Sequence, residues 1–145
     1  MKQLTIIKQL PFSATYTYDR LSDFTLFEET CSAVISVEVN SVSDEETLSN
    51  WTVHFHDGEM QWQERDRFNK DKLRIEFEQT EGDAEEFNGS WQVNERGSDC
   101  CEIIFSAEFC MGIPSLADIL EPIAEQAISQ NINQMLDQMF IKQVA

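Results

Sequence analysis

The chain has 145 residues, of which 41% are hydrophobic and ten are Phe, and its formal net charge at neutral pH is −17. This length and hydrophobic content predict one globular domain over 1–145 with a core that needs no disulfide bonds, and they exclude a disordered chain. The excess of acidic residues opposes nucleic acids and anionic membrane surfaces as partners, because both are polyanions.

Targeting and metal signals are missing from the sequence. The start, MKQLTIIKQLPFS, has no apolar run of signal-peptide length, and no stretch of the chain has the length and hydropathy of a membrane span. We therefore expect a cytoplasmic protein with reduced thiols. The four Cys form no C-x-x-C pair and have no His at ligand spacing, so we expect no metal site and no cofactor.

The predicted elements follow a simple order. Residues 2–10 predict a strand, and 13–29 predict one or two short helices. Apolar residues then alternate with polar ones as far as 111, which predicts six more strands separated by short turn segments. These strands cover 31–40, 47–56, 60–68, 73–80, 86–94 and 100–111. Residues 116 to about 140 carry the broad apolar stripe of one long amphipathic helix, and the S-x-x-D pattern at Ser115 predicts its N-cap.

This order predicts an α+β fold. Seven antiparallel strands need a cover on their apolar face, and the long C-terminal helix can supply it. We expect a curved sheet that wraps around this helix, with the two short helices following the first strand.

The stretch WTVHFHDGEMQWQERDRF, residues 51–68, is typical of a β-hairpin with a tight Asp57-Gly58 turn. With Asp57 and Gly58 as the central turn residues, cross-strand partners share a face of the sheet. The predicted pairs are Phe55 with Met60, Val53 with Trp62, Trp51 with Glu64, and Ser49 with Asp66. The other face of the hairpin is nearly all polar, so the inward face holds the aromatic residues together with both carboxylates.

Two acids on an apolar face need an explanation. A charged, unpaired carboxylate there costs several kcal/mol, so it is neutralised, paired or hydrated. Glu64 and Asp66 either lie at a water-filled mouth, or at least one of them is an acid or base with a raised pKa inside a pocket.

The later strands repeat the alternation and point aromatic-rich faces to the same side of the sheet. At this point three segments together carry a family signature: WTVHFHDGEMQWQERDRF, IEFEQTEGDAEEFNGSWQV and FCMGIPSLADILEPIAEQAISQNINQML. They resemble the polyketide cyclase/dehydrase proteins of the START-like (SRPBCC), helix-grip superfamily, over almost the whole chain. The GD-x3-F-x-G-x-W pattern is formed here by Gly82, Asp83, Phe87, Gly89 and Trp91.

The resemblance implies a deep apolar cavity between sheet and C-terminal helix that holds a polyketide, quinone, lipid or steroid. Aromatase/cyclase members fold a carrier-bound poly-β-ketone there and close it by aldol condensation and dehydration, using inward Arg, Ser and Tyr side chains. Here the matching Ser and Arg positions of the third strand fall on Glu64 and Asp66, and the next-strand Arg position falls near Phe77. Glu64 and Asp66 would then have to supply the acid–base chemistry.

Two functions follow as predictions. The first is a polyketide cyclase or dehydratase of secondary metabolism with Glu64 and Asp66 as catalytic acid and base, and the second is a non-catalytic carrier of a lipid or quinone. In both, the predicted ligand contacts are Trp51, Val53, Phe55, Trp62, Ile75, Phe77, Trp91, Ile103, Phe105 and Asn131. Asn131 could bond a ligand carbonyl or the protein backbone.

Two other groups of residues have competing interpretations. His54 and His56 form an H-x-H pair that could bind a metal, although the predicted register places them on the outer surface. A basic cluster could dock an acyl carrier protein or its phosphopantetheine phosphate, or it could balance neighbouring acidic residues. The cluster consists of Arg65, Arg67, Lys70, Lys72 and Arg74.

Overall fold

The computed structural model describes residues 2–55 and 57–140. Seven strands form one antiparallel sheet in the order β1-β7-β6-β5-β4-β3-β2. The strands are β1 (Lys2–Leu10), β2 (Val34–Ser43), β3 (Glu46–Phe55), β4 (Gly58–Asn69), β5 (Arg74–Gly82), β6 (Glu86–Gly97) and β7 (Cys100–Cys110). The helices are α1 (Ala14–Ser22), α2 (Phe24–Thr30) and α3 (Ala117–Met139), the last preceded by one 3-10 turn at Pro114–Leu116. The predicted fold class is therefore confirmed.

The apolar face of the sheet packs under the helices. Strand β7 shows the pattern most plainly, because every second residue from Cys101 to Phe109 is buried and the residues between them are partly exposed. Helix α3 contacts β1, β3 and α2. None of the helices within the described residues is both long enough and apolar enough to cross a membrane.

Helix α1 is hydrogen-bonded to the C-terminal end of α3. The hydroxyl of Ser13 accepts a hydrogen bond from the Tyr16 amide and caps α1. Near the end of α1, the Arg20 guanidinium donates two hydrogen bonds, of 2.6 and 3.2 Å, to the Met139 carbonyl. A cation at a helix C-terminus is favoured by the carbonyl groups exposed there. Arg20 therefore stabilises the position of the C-terminal end of α3 over the sheet.

The predicted register of the hairpin is wrong by two residues. Phe55 pairs with Gly58, so Gly58 begins β4 instead of lying in the turn, and Trp51 consequently lies opposite Trp62. The two indole rings stack at 5.9 Å between centroids with an interplanar angle of 4°, a contact that the predicted register lacks. Because the error is an even number of residues, the inward and outward faces are as predicted.

Several predicted boundaries also differ, and two of the differences bear on how the helices begin and end. Strand β2 begins at Val34 instead of 31, because α2 extends to Thr30 and Cys31 is its C-cap. Helix α3 begins one residue later than the predicted 116, and its N-cap is Leu116, with no side-chain cap. The S-x-x-D pattern at Ser115 is therefore not the start signal of this helix.

One glycine, Gly89, allows atoms of the neighbouring strands β5 and β7 to pack closely against β6. A Cβ atom added at Gly89 would lie 2.0 Å from the Ser106 carbonyl oxygen and 3.0 Å from the Phe77 ring. Phe77 is the cross-strand partner of Gly89 on β5, so its ring occupies the space that any side chain at Gly89 would need.

We predict that Gly89→Ala lowers the free energy of unfolding by roughly 1–3 kcal/mol, because backbone atoms of β7 must move to admit the methyl group. Urea denaturation measures the change through the transition midpoint. Gly97→Ala is the matched control, since its added Cβ would meet only the Cys100 Cβ atom at 3.7 Å, an ordinary contact. Equal midpoints for the two variants would contradict the prediction.

Candidate functional site

Aromatic side chains enclose a cavity between the sheet and helices α2 and α3. Seven rings form a closed circuit in which each ring touches the next, at centroid distances from 4.6 to 6.1 Å. In order around the circuit they are Phe27, Trp51, Trp62, Phe87, Phe77, Phe105 and Trp91. The strands contribute six of these rings because aromatic residues occupy alternate positions that face the same side.

The cavity inside this circuit is small. Its volume is about 60 Å³, room for a few water molecules, whereas pockets for drug-sized ligands measure about 300–1,000 Å³. From α3, the side chains of Ile128, Ile132 and Met135 close it. Asn131 also lines it and donates a hydrogen bond of 2.7 Å to the His54 carbonyl, which ties the helix to the end of β3.

Most of the predicted ligand contacts meet here. Eight of the ten line the cavity, whereas Ile75 and Ile103 lie in the core outside it with exposures of 1% and 0%. The residues missing from the prediction come largely from the helices. They are Phe24, Phe27, Met60, Phe87, Ile128, Ile132 and Met135. The apolar stripe of α3 already contained the signal for its three members, since they recur at helical spacing.

The two acids lie on the inward face, and they are buried rather than hydrated. Glu64 is 5% exposed and Asp66 is 0% exposed. Glu64 lines the cavity, whereas Asp66 does not and lies behind it on the same strand. Only Glu64 can therefore touch a molecule in the cavity.

Neutral donors surround the pair. The Trp62 indole donates to Glu64 Oε1 at 2.7 Å. Asp66 Oδ2 accepts hydrogen bonds from the hydroxyls of Ser49, at 2.6 Å, and Thr47, at 3.0 Å. Asp66 Oδ1 is buried and, with both carboxyls ionised, has no hydrogen-bond donor among the described residues.

Burial and mutual contact shift both acids in the same direction. Desolvation raises the pKa of Glu64 well above its ordinary value, and the neighbouring Asp66 raises it further through a hydrogen bond and charge repulsion. Desolvation also raises the pKa of Asp66, although hydrogen bonds from Glu64, Ser49 and Thr47 to its carboxylate oppose that rise. Chemically, the arrangement is a proton donor and acceptor at the wall of an apolar cavity.

The remaining sequence candidates lie elsewhere. His54 is exposed, and His56 falls outside the described residues. The described part of the chain holds no group of three or more His, Cys, Asp or Glu side chains arranged for a metal ion. In the cavity wall, as far as the structure describes it, there is no cationic side chain.

The basic cluster is on the outer surface, and much of its charge is balanced within the chain. Arg65 pairs with Glu46 at 3.2 Å, Arg74 with Glu76 at 3.1 Å, and Lys70 with Asp19 at 3.7 Å. Arg67 lies in register between Glu46 and Glu76 on its two neighbouring strands. Lys72 is exposed on the turn between β4 and β5.

Solved structures share this fold at low sequence identity. A protein of Thermus thermophilus superposes with a TM-score of 0.87 at 19% identity, covering 95% of this chain and 94% of its own. The Zhui aromatase/cyclase of a Streptomyces species gives 0.87 at 12% identity, with coverage of 96% and 91%. A norcoclaurine synthase point mutant of Thalictrum flavum gives 0.73 at 17% identity, with coverage of 96% and 91%.

Sequence comparison gives the family directly. No curated protein matches this sequence. The family model described as "Polyketide cyclase / dehydrase and lipid transport" matches residues 10–136, which include every strand after β1, both short helices, most of α3 and both buried acids. The chain belongs to the polyketide cyclase/dehydrase and lipid transport family.

Proposed function

We propose that this protein is an acid–base enzyme of the cyclase type, which binds a hydrophobic polyketone in the aromatic cavity and promotes its aldol cyclisation and dehydration. The observation that carries the proposal is the position of Glu64, a buried carboxyl at the wall of an apolar cavity with a second carboxyl behind it. A structural role alone would be served by an apolar residue at this position, since burying a carboxyl costs free energy.

The proposed reaction uses proton transfer through Glu64. In the cyclisation, Glu64 first passes its proton to Asp66. The Glu64 carboxylate then removes an α-proton that lies between two carbonyls of the substrate. The resulting enolate attacks a distant carbonyl carbon, and the new alkoxide takes the proton that Glu64 has just received. In the dehydration, Glu64 removes the next α-proton and delivers it to the departing hydroxyl group, which leaves as water. Asp66 then returns its stored proton to Glu64, so the pair again holds one proton.

The charge of the site supports proton transfer instead of cationic stabilisation. No Arg or Lys side chain lines the described cavity wall, so an enolate would not find the positive charge that commonly stabilises such anions. The two carboxyls can fill both acid and base roles, because their interaction separates the two proton affinities.

The small volume requires the cavity to open. A polyketone cannot occupy about 60 Å³, so binding must displace side chains of α3. The Asn131–His54 hydrogen bond joins the helix to β3 beside the cavity, and it is the contact that we expect to break on entry of the ligand.

A second function, binding and transport of a lipid or quinone without catalysis, draws support from the wall itself. Apart from Glu64 and Asn131, the described residues that line the cavity are all apolar or aromatic. In this case Glu64 would be a neutral polar group that hydrogen-bonds a ligand carbonyl.

Docking of an acyl carrier protein stays a prediction. Among the cations of the basic cluster, Arg65, Lys70 and Arg74 have intramolecular ion pairs on the protein surface. Such exposed pairs contribute about 1 kcal/mol or less and can exchange for an acidic partner.

The first prediction separates catalysis from binding. Glu64→Gln keeps the size of the side chain but cannot transfer a proton, so we expect turnover of a linear poly-β-ketone thioester to fall by about 10²–10⁴-fold. Product formation is measured by chromatography with ultraviolet absorbance, and quenching of tryptophan fluorescence by the same thioester measures binding, which should persist. Glu59→Gln, an exposed position on the same strand, is the control and should retain wild-type turnover. Unchanged turnover in Glu64→Gln would reject the catalytic role.

The second prediction concerns the cavity wall. Phe105→Ala removes one ring from the aromatic circuit and should lower the affinity for Nile red, an uncharged apolar probe, at least tenfold. Native mass spectrometry of freshly purified wild-type protein tests the carrier function in parallel. A stoichiometric lipid or quinone in the wild type, together with unaltered binding in Glu64→Gln and no turnover in either protein, would favour transport over catalysis.

The third prediction links folding to pH. Because the folded state raises the pKa of Glu64, it binds that proton more tightly than the unfolded chain. The resulting stabilisation is complete below the unfolded pKa of about 4.3 and is lost as the pH rises through the folded pKa. Glu64→Gln, whose amide can donate to Asp66 Oδ1 without titrating, should therefore gain stability relative to wild type as the pH increases from about 4.5 towards 8.

Urea midpoints of the two proteins across this pH range provide the measurement. Glu59→Gln again serves as the control, and its midpoint should follow that of the wild type at every pH. Parallel curves for Glu64→Gln and wild type would mean that Glu64 has the same proton affinity in the folded and unfolded states.

A further inference from the structure

Two tryptophans connect the cavity wall to the acid pair, each through its indole N–H. The Trp62 indole donates directly to Glu64 Oε1 at 2.7 Å. The Trp51 indole donates to Ser49 Oγ at 2.8 Å, and Ser49 Oγ lies 2.6 Å from Asp66 Oδ2. Since an indole N–H can only donate, these contacts fix the direction of the hydrogen bonds beyond them.

The direction decides which acid is ionised. The Ser49 oxygen accepts from Trp51, so its single hydroxyl proton points to Asp66. Thr47 places a second hydroxyl 3.0 Å from the same Asp66 oxygen. A proton on Oδ2 of Asp66 would compete with these two donors, whereas a charged oxygen accepts both. The donors therefore favour the carboxylate form of Asp66.

The other side of the pair lacks a donor. Asp66 Oδ1 is buried and, with both acids charged, has no hydrogen-bond partner among the described residues. Glu64 is buried two residues away on the same face of β4, and the two carboxyls are close enough for each to shift the pKa of the other. A proton on Glu64 would satisfy Oδ1 and remove the repulsion between the two charges. Burying an unsatisfied carboxylate oxygen beside a second anion would be far more costly.

We propose that, in the resting protein, the pair holds one proton, carried by Glu64 and donated to Asp66 Oδ1, and that Ser49 and Thr47 are positioning residues that favour the ionised form of Asp66 in this state. This assignment deepens the proposed function, which rests on the same pair, by specifying which acid is the donor at rest. Of these four residues, only Glu64 lines the cavity and can contact the substrate. Ser49 and Thr47 therefore act through Asp66 and are not themselves catalytic.

The side chains packed around the pair carry no titrating group. Phe77 and Gln79 of β5 are the cross-strand partners of Asp66 and Glu64. The cavity beside Glu64 is completed by Trp51 and Val53 of β3, Phe24 and Phe27 of α2, and Ile128, Asn131, Ile132 and Met135 of α3. None of these side chains titrates, so among the described residues each carboxyl has only the other as a titrating neighbour.

The test is a pH titration of the free protein by carbon-13 NMR, with label at the side-chain carboxyl carbons of Asp and Glu. At neutral pH we expect one Glu signal at the position of a protonated acid, and this signal should vanish in Glu64→Gln. The acid pair loses its two protons in two titration steps, one at lower and one at higher pH. Ser49→Ala removes a donor to the charged Asp66, so the lower step should move up by roughly one pH unit. Trp62→Phe removes the donor to Glu64 and should raise the upper step instead.

Two further variants complete the design. Ser106→Ala, a hydroxyl on the opposite face of the sheet, is the control and should move neither step. Thr47→Val preserves the shape of the side chain and should raise the lower step as Ser49→Ala does, so it replaces Ser49→Ala if that variant does not fold.

Three results would overturn the proposal: a Glu64 signal in the ionised position at neutral pH, a protonated Asp66 beside an ionised Glu64, or movement of the upper step in Ser49→Ala and Thr47→Val. Because no substrate is present, the outcome does not depend on turnover. An inactive protein with the expected titration would contradict the proposed function alone, whereas an active one with the reverse titration would contradict only the proton assignment.

Discussion

The burial of two carboxyl groups on an otherwise apolar sheet face is the constraint on which the rest of the site depends. Glu64 and Asp66 are both buried, and no cation within the described cavity wall compensates their charges. The fold instead supplies neutral donors from Trp62, Ser49 and Thr47. Such donors stabilise one negative charge well, but they leave a second charge unsatisfied, which is why the pair favours holding a proton.

The sequence predicts the faces of the strands better than their pairing. A residue's side of the sheet depends only on whether its position is odd or even, so the misplaced turn at Asp57-Gly58 left Glu64 and Asp66 on the correct face. The register depends on turn geometry, and two equally short loops are compatible with the same residues. The structure settles it by placing Trp51 opposite Trp62, where the stacked rings bury a large area.

The site could be predicted in part, for a related reason. Alternation identifies inward residues such as Phe77 and Phe105, but it cannot show which of them border empty space and which, such as Ile75, fill the core. The contribution of α2 depended on how a short helix folds back over the sheet, which no periodicity reveals. In the sequence, Ser49 and Thr47 look like ordinary polar strand residues, and only their distances to Asp66 in the structure identify them as its donors.

The charge of the whole molecule narrows the chemistry of the ligand. A protein of net charge −17 has a negative potential that extends into a low-dielectric cavity, where screening by salt is weak. That potential opposes the binding of anions and adds to the tendency of Glu64 to keep its proton. A neutral ketone, lipid or quinone meets no such penalty, and it presents carbonyl oxygens that a protonated Glu64 can reach. Transport and catalysis therefore share the same ligand chemistry, and they differ only in whether the proton of Glu64 stays in place or Glu64 exchanges protons with Asp66 and the bound molecule.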